Sequence, residues 1–202
     1  MYTLESFTQP FPSLNEMILI HNHWLSPAQA DSLYKKMLTM PWQEEEITLF
    51  GKKIKVPRRV FWMGDSDAYY TYASTRHAPI PWNHEILKIK KRIQHELGLE
   101  FNSVLGNLYR DGKDYMGWHS DNEPELGDNP SILSISLGAE RRFCFKHKKS
   151  REKHEVQLTH GSALLMQGNS QQDYKHALPK SMRIKSPRIN LTFRLINKRV
   201  TK

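Results

Sequence analysis

The chain has almost no cysteine and no long apolar run. Cys144 is the only thiol in 202 residues. No internal disulfide can form, and a reducing compartment is the simpler setting: cytoplasm, or nucleus in a eukaryotic cell. No apolar stretch approaches the roughly 20 residues needed to span a bilayer as a helix. Glu5 and Pro10 leave no room for an apolar leader core, so neither a membrane span nor a secretory signal is expected. An acidic excess is missing too: 30 Lys and Arg against 21 Asp and Glu leave a formal charge of +9. That balance suits a polyanionic partner, and nucleic acid is the commonest. Nor is there an internal repeat or low-complexity tract. One compact domain over 1–202, acting as a monomer, is the expectation.

The positive charge is gathered in places. Lys52, Lys53, Lys55, Arg58 and Arg59 crowd one segment; Lys146, Lys148, Lys149, Arg151 and Lys153 crowd another. Each group can neutralise phosphates, although solvated surface lysines read the same way.

Local signals place the elements. The first ~25 residues, with Pro10 and Pro12, read as an extended arm. Ser26-Pro27-Ala28-Gln29 is a helix start with a capping box, followed by Ala30, Leu33, Tyr34, Met37 and Leu38 at helical spacing and stopped by Pro41. Residues 47–63 read as strand and turn, with Gly51 at a hairpin tip. A second helix is expected from about Asn83 to Leu97, its stripe being Ile86, Ile89, Ile93 and Leu97 and its stop Gly98. After Phe101 short runs alternate with glycine-marked turns: 103–110, 131–138, 141–147, 155–158, 162–167 and 188–196. Such spacing indicates a sandwich or barrel. The expected chain is thus α+β, two N-terminal helices packed on a C-terminal barrel or jelly roll.

Three residues carry the first chemistry. His119 and Asp121 are two apart, so on an extended segment they point the same way. His176 can supply a third ligand from a neighbouring strand. Two imidazoles and one carboxylate on one face of an ion leave positions open for O2 and a chelating co-substrate, the facial triad of non-haem Fe(II) oxygenases. The pair H-x-D recurs by chance, and the other histidines (His21, His23, His77, His84, His95, His147, His154, His160) read as surface or structural. A corroborating signal lies in the last strand. Ile189, Leu191, Phe193 and Leu195 alternate with Arg188, Asn190, Thr192 and Arg194. A polar face turned to water is the plain reading. Beginning about 12 residues after His176, that face can instead line a cavity beside the metal, where an arginine forks onto a carboxylate. Asn107 and Tyr109, also two apart, add an amide and a phenol.

The ordered blocks Asn107-Leu108-Tyr109-Arg110-Asp111-Gly112, Gly117-Trp118-His119-Ser120-Asp121-Asn122-Glu123, Ser134-Ile135-Ser136-Leu137-Gly138-Ala139, Arg141 to His147, His160-Gly161-Ser162, His176-Ala177-Leu178-Pro179 and Pro187 to Arg194 fall between about 101 and 196. Together they resemble the AlkB family of Fe(II)- and 2-oxoglutarate-dependent dealkylating dioxygenases, and the N-terminal half is similar to the branch that prefers duplex DNA. The resemblance implies a double-stranded β-helix, or jelly-roll, core at about 101–196. Over about 1–100 it implies an arm, helices packed on one side and a nucleotide-recognition hairpin lid. It implies that His119, Asp121 and His176 hold iron. It implies that Arg188 pairs with a carboxylate of 2-oxoglutarate, helped by Asn107, Tyr109, Asn190, Thr192 and Arg194. It further implies removal of alkyl groups from bases such as 1-methyladenine and 3-methylcytosine in DNA, consuming O2 and releasing succinate, CO2 and formaldehyde. Tyr70 and Tyr72 would enclose the flipped base and Glu123 face its polar edge. Phe50, followed by Gly51 and flanked by Lys52, Lys53 and Arg58, would fill the gap left in the duplex. Two departures touch base preference: Asn122 stands where relatives often carry a second acid, and Tyr72 where phenylalanine is usual. RNA, or a protein substrate, remains an alternative for the same cofactors.

Overall fold

The computed structural model describes residues 2–14, 16–49, 52–72 and 75–197. In chain order the elements are β1 (Ile18–His21), α1 (Pro27–Leu38), β2 (Gln43–Leu49), β3 (Lys52–Gly64), β4 (Tyr70–Tyr72), β5 (Thr75–His77) and α2 (His84–Leu97). Then follow β6 (Ser103–Tyr109), β7 (Met116–His119), β8 (Ile132–Gly138), β9 (Arg141–His147), β10 (Lys153–Leu158), β11 (Ala163–Met166), β12 (Tyr174–Leu178) and β13 (Arg188–Arg194).

Both helices form where their caps predict. The Ser26 side chain accepts from Gln29 N while the Gln29 side chain accepts from Ser26 N, and Pro27 opens the first turn. α1 stops at Leu38, short of Pro41. Asn83 caps α2 through Ile86 N, and Gly98 closes it at φ 66°, a left-handed conformation that costs glycine nothing.

Two antiparallel sheets face each other in a jelly roll. The larger runs β1-β11-β8-β13-β6-β3-β2, the smaller β10-β9-β12-β7, and β4 and β5 form a separate ribbon. The helices cover one face of the larger sheet. There Leu33, Met37, Ile86, Ile89 and Ile93 pack with Phe61, Val104, Leu137, Leu191 and Phe193. The opposite face meets the smaller sheet over Ile132, Leu164, Phe145, Val156 and Leu158. β13 sits centrally between β8 and β6, so both its faces are buried. Its apolar side meets the helices and its polar side enters the space between the sheets. Leu195 falls outside the expected apolar face: the strand ends at Arg194 and Leu195 is 46% exposed. The N-terminal arm also holds more structure than expected. Ile18–His21 pairs with β11, and Thr8 bridges to Ile20.

The loop joining β6 to β7 is tied by one acid. Asp114 is buried and accepts from Arg110 N (2.8 Å), Nε (2.8 Å) and Nη2 (2.9 Å). Burial alone would raise its pKa, but Arg110 outweighs it and holds the carboxyl below the ordinary value. A carboxylate depressed in the fold contributes stability above its unfolded pKa of about 4, and that contribution is lost as pH falls through the folded value. Asp114→Asn is therefore expected to cost about 1–3 kcal/mol at neutral pH. Urea melts at pH 7 and in acid should show the gap between the two proteins closing in acid.

Candidate metal centre and its pocket

The three sequence-predicted ligands converge. His176 pairs with His119 across β12 and β7, which sets their imidazoles 3.1 Å apart, Nε2 to Nε2. Asp121, just past the end of β7, brings Oδ1 to 3.6 Å from His119 Nε2 and 3.9 Å from His176 Nε2. Among the described residues this is the one cluster with metal-ligand geometry. Two bonds of about 2.1 Å at a right angle put their donor atoms about 3 Å apart, close to the imidazole pair. The tautomer also fits. His119 Nδ1 lies 2.8 Å from Gly117 O, so it carries the proton and leaves Nε2 a lone pair. Burial, then the neighbouring His119, pushes His176 down to about 3, which keeps it neutral and able to ligate at neutral pH. Burial would raise the Asp121 carboxyl. Arg194, then the two imidazoles, override that and hold it well below the usual carboxylate range. The donor set is neutral, neutral and anionic on one side of a common point, as a facial Fe(II) site requires.

Beside these atoms lies a cavity of about 200 Å³. The polar face of β13 is its floor, with Asn107 and Tyr109 alongside. Register explains the grouping: Arg188 is opposite Tyr109 and Asn190 opposite Asn107 on β6. Arg188 Nη2 donates to Ser136 Oγ and Asn190 Oδ1, both at 2.9 Å. Ser134 Oγ donates to Asn190 Oδ1 at 2.6 Å, and Asn190 Nδ2 to Thr192 Oγ1 at 2.5 Å. Arg188 Nε is buried without a protein partner. Burial lowers its pKa to about 10, so the guanidinium stays charged at neutral pH. A buried cation with an orphaned donor, facing a cavity, fits one carboxylate of a small diacid. Arg194, expected in the same group, donates from Nη2 (2.6 Å) and Nε (3.1 Å) to Asp121 Oδ2. It braces the ligand carboxylate from behind.

The N-terminal half supplies the outer wall through Gln43, Glu45, Val60, Trp62, Ala78 and Ile80, and Glu123 also lines the cavity. Tyr70 and Tyr72 lie on β4, opposite His77 and Thr75 of β5. Phe50 and Gly51 lie outside the described residues. Lys52 opens β3, and Lys53 is exposed beside it. Arg58 differs from the surface phosphate contact that its charge cluster implied. It is 4% exposed, with Nε on Asn107 Oδ1 at 2.7 Å and Nη1 3.4 Å from Met116 Sδ. Val56 and Val60 are buried on the same parity, so alternation along β3 carried the signal. Phe143 was not anticipated either. Its ring stacks on His176 at 5.4 Å and fixes that imidazole's plane.

The model of the 2OG-Fe(II) oxygenase superfamily matches residues 16–194. The chain is 37% identical over 179 residues to alpha-ketoglutarate-dependent dioxygenase alkB homolog 3 of Bos taurus, covering 83% of this chain and 62% of that one. It is 37% identical over 185 residues to DNA oxidative demethylase ALKBH2 of Mus musculus, covering 84% and 76%. The solved structure of OsALKBH1 shares the fold at a TM-score of 0.66 and 17% identity, covering 94% of this chain and 99% of that one.

Proposed function

Because the chain belongs to the AlkB branch of the 2OG-Fe(II) oxygenase superfamily, we propose that it repairs DNA by oxidative removal of alkyl groups from bases such as 1-methyladenine and 3-methylcytosine. The observation that carries the reading is the meeting, in one cavity, of the His119–Asp121–His176 cluster with the Arg188–Asn190–Thr192 floor. When bound, Fe(II) and 2-oxoglutarate supply the oxidation of the alkyl carbon by O2, with succinate, CO2 and, from a methyl group, formaldehyde as products.

The chain's own residues orient and exclude. Arg188 holds the far carboxylate of the co-substrate, with Tyr109 and Asn107 beside it. Arg194 keeps Asp121 ionised and aimed. The cavity, at about 200 Å³, is large enough for a small diacid. A base must therefore leave the stack and reach in from the mouth. Glu123 there favours a cationic, alkylated base, and such a base is cheaper to extrude because its pairing is already lost. Tyr70 and Tyr72 enclose the base, and Phe50, which falls between β2 and β3 in the sequence, fills the vacated stack of a duplex.

The outer face of the smaller sheet supports an anionic polymer as substrate. Lys153, Lys146 and Lys175 stand opposite one another across β10, β9 and β12. Trp118, 41% exposed, lies under Lys146 at 5.5 Å. Burial, then Arg151, Lys153 and Lys175, draws the Lys146 pKa down. Like charges set side by side on a sheet repel, and phosphates relieve that repulsion. The catalytic domain works as a monomer.

The test is turnover with Fe(II), 2-oxoglutarate and oligonucleotides carrying one methylated base, as duplex DNA, single-stranded DNA and RNA. Formaldehyde and succinate are expected in equal amounts with DNA, and Phe50→Ala should slow duplex more than single strand. Succinate release that no oligonucleotide stimulates would overturn the substrate assignment. Faster turnover on RNA would move it to RNA. Equal loss on both DNA forms would remove the finger role.

A further inference from the structure

A second buried cation lies close to Arg188, and the co-substrate assignment does not use it. Arg141 opens β9 and is 1% exposed. Its Nη1 donates to Asp111 O at 3.2 Å, and its Nη2 to Asp114 O at 2.9 Å and Pro179 O at 2.7 Å. Two loops are pinned by these bonds. One joins Tyr109 of β6 to the His119 strand; the other joins the His176 strand to Arg188 of β13. The loops also interlock directly, Gly112 N donating to Ile184 O and Ser181 N to Gly112 O. A Cβ on Gly112 would lie 1.7 Å from Ser181 O.

Carbonyls alone do not neutralise a guanidinium, and the Asp114 and Asp111 carboxylates act on Arg141 only from beyond ion-pair distance. Among the described residues neither Arg141 nor Arg188 has a carboxylate within ion-pair distance, while the surface Arg142 next door pairs with Glu155. Both Nε atoms are buried without partners. Both guanidiniums approach the same ring, their Cζ atoms 6.0 Å and 5.4 Å from the Tyr109 centroid. Two desolvated cations of like sign packed about Tyr109, of which Arg188 lines the cavity, are costly in the free protein, and an anion arriving at Arg188 relieves that cost.

We infer that Arg141 is a specificity-determining residue. Without touching the co-substrate, it supplies the second positive charge that makes this end of the pocket select a dicarboxylate over a monocarboxylate 2-oxo acid. The inference rests on the co-substrate reading above. The long-range nature of charge gives the expected size. At about 10 Å in a protein environment, one charge shifts the affinity of an anion roughly tenfold.

Equilibrium binding of 2-oxoglutarate and of 2-oxobutyrate, which lacks the far carboxylate, tests it in the Mn(II)-loaded protein without O2. Arg141→Met and Arg141→Gln should bind 2-oxoglutarate about tenfold more weakly than the unsubstituted protein, with 2-oxobutyrate and Mn(II) affinity unchanged. Arg141→Lys should keep most of the preference. Gln retains amide donors for the carbonyls and loses the charge; Lys retains the charge but, as a compact ammonium, not the two-nitrogen fork that serves three carbonyls. That pair decides the matter even where Met fails to fold. Equal loss of both acids, or rescue by Gln and not by Lys, would reduce Arg141 to a clamp and overturn the inference. Failure of the unsubstituted protein to bind 2-oxoglutarate at all would instead overturn the co-substrate reading.

Discussion

His119→Ala lowers turnover by at least about a thousandfold, equivalent to about 4 kcal/mol of barrier, and leaves the fold intact. His119 is the best ligand for this test because it is the most exposed of the three, at 30% of its side chain against 5% for His176 and 6% for Asp121. Removing it opens no deep cavity. Two donors remain, and two cannot fix an ion on one face while co-substrate and O2 take the others. Asp121→Ala gives the same loss of turnover but also strips Arg194 of the carboxylate it holds at 2.6 Å. Breaking a buried pair costs about 3–5 kcal/mol, so that variant should also melt earlier. Metal content, circular dichroism and formaldehyde release on the same samples separate the two effects. Near-normal turnover in folded His119→Ala would remove the metal assignment.

Arg188→Met weakens 2-oxoglutarate binding more than it lowers the rate at saturation. Its guanidinium is held by Ser136 and Asn190, keeps a buried Nε without a partner, and lines the cavity. Losing the partner of a buried carboxylate costs about 2–5 kcal/mol, or roughly 30- to 4,000-fold in affinity. The variant should raise KM for 2-oxoglutarate by that order, with KM for DNA little changed. Stability should hold, because a costly buried cation is replaced by an apolar chain of similar length. An unchanged KM would mean that the diacid binds elsewhere.

Where the signal was local, the sequence was readable. Ser26, Gln29 and Pro27 specify the start of α1, and Asn83 and Gly98 bracket α2, because caps act within one turn. The alternation of β13 is likewise complete within seven residues. Which side of it faced water was not local. Both faces are buried because β8 and β6 flank the strand and the smaller sheet covers it, and no property of 188–194 alone states that. β7 was harder still. It is four residues containing Gly117 and Trp118, and it is a strand only through its irregular pairing with β12. β1 is hidden in the same way, an Ile-Leu-Ile run that becomes an edge through β11. The triad survived this ignorance because His119 and Asp121 needed only an extended segment to converge. Arg58 sits in a charge cluster that implies exposure, and Arg141 has no charge cluster or spacing to single it out. Their parity, with Val56 and Val60 in one case and with Phe145 in the other, already placed them on inward faces.

In the proposed enzyme one ion is held by His119, Asp121 and His176, with a 2-oxo diacid reaching from it to Arg188. An anaerobic crystal structure with Fe(II) and 2-oxoglutarate measures this directly. A single anomalous iron peak is expected within about 2.0–2.2 Å of His119 Nε2, His176 Nε2 and an Asp121 oxygen, with the far carboxylate on the Arg188 guanidinium. An iron peak away from these three atoms, or a diacid that leaves Arg188 without a carboxylate, would contradict it.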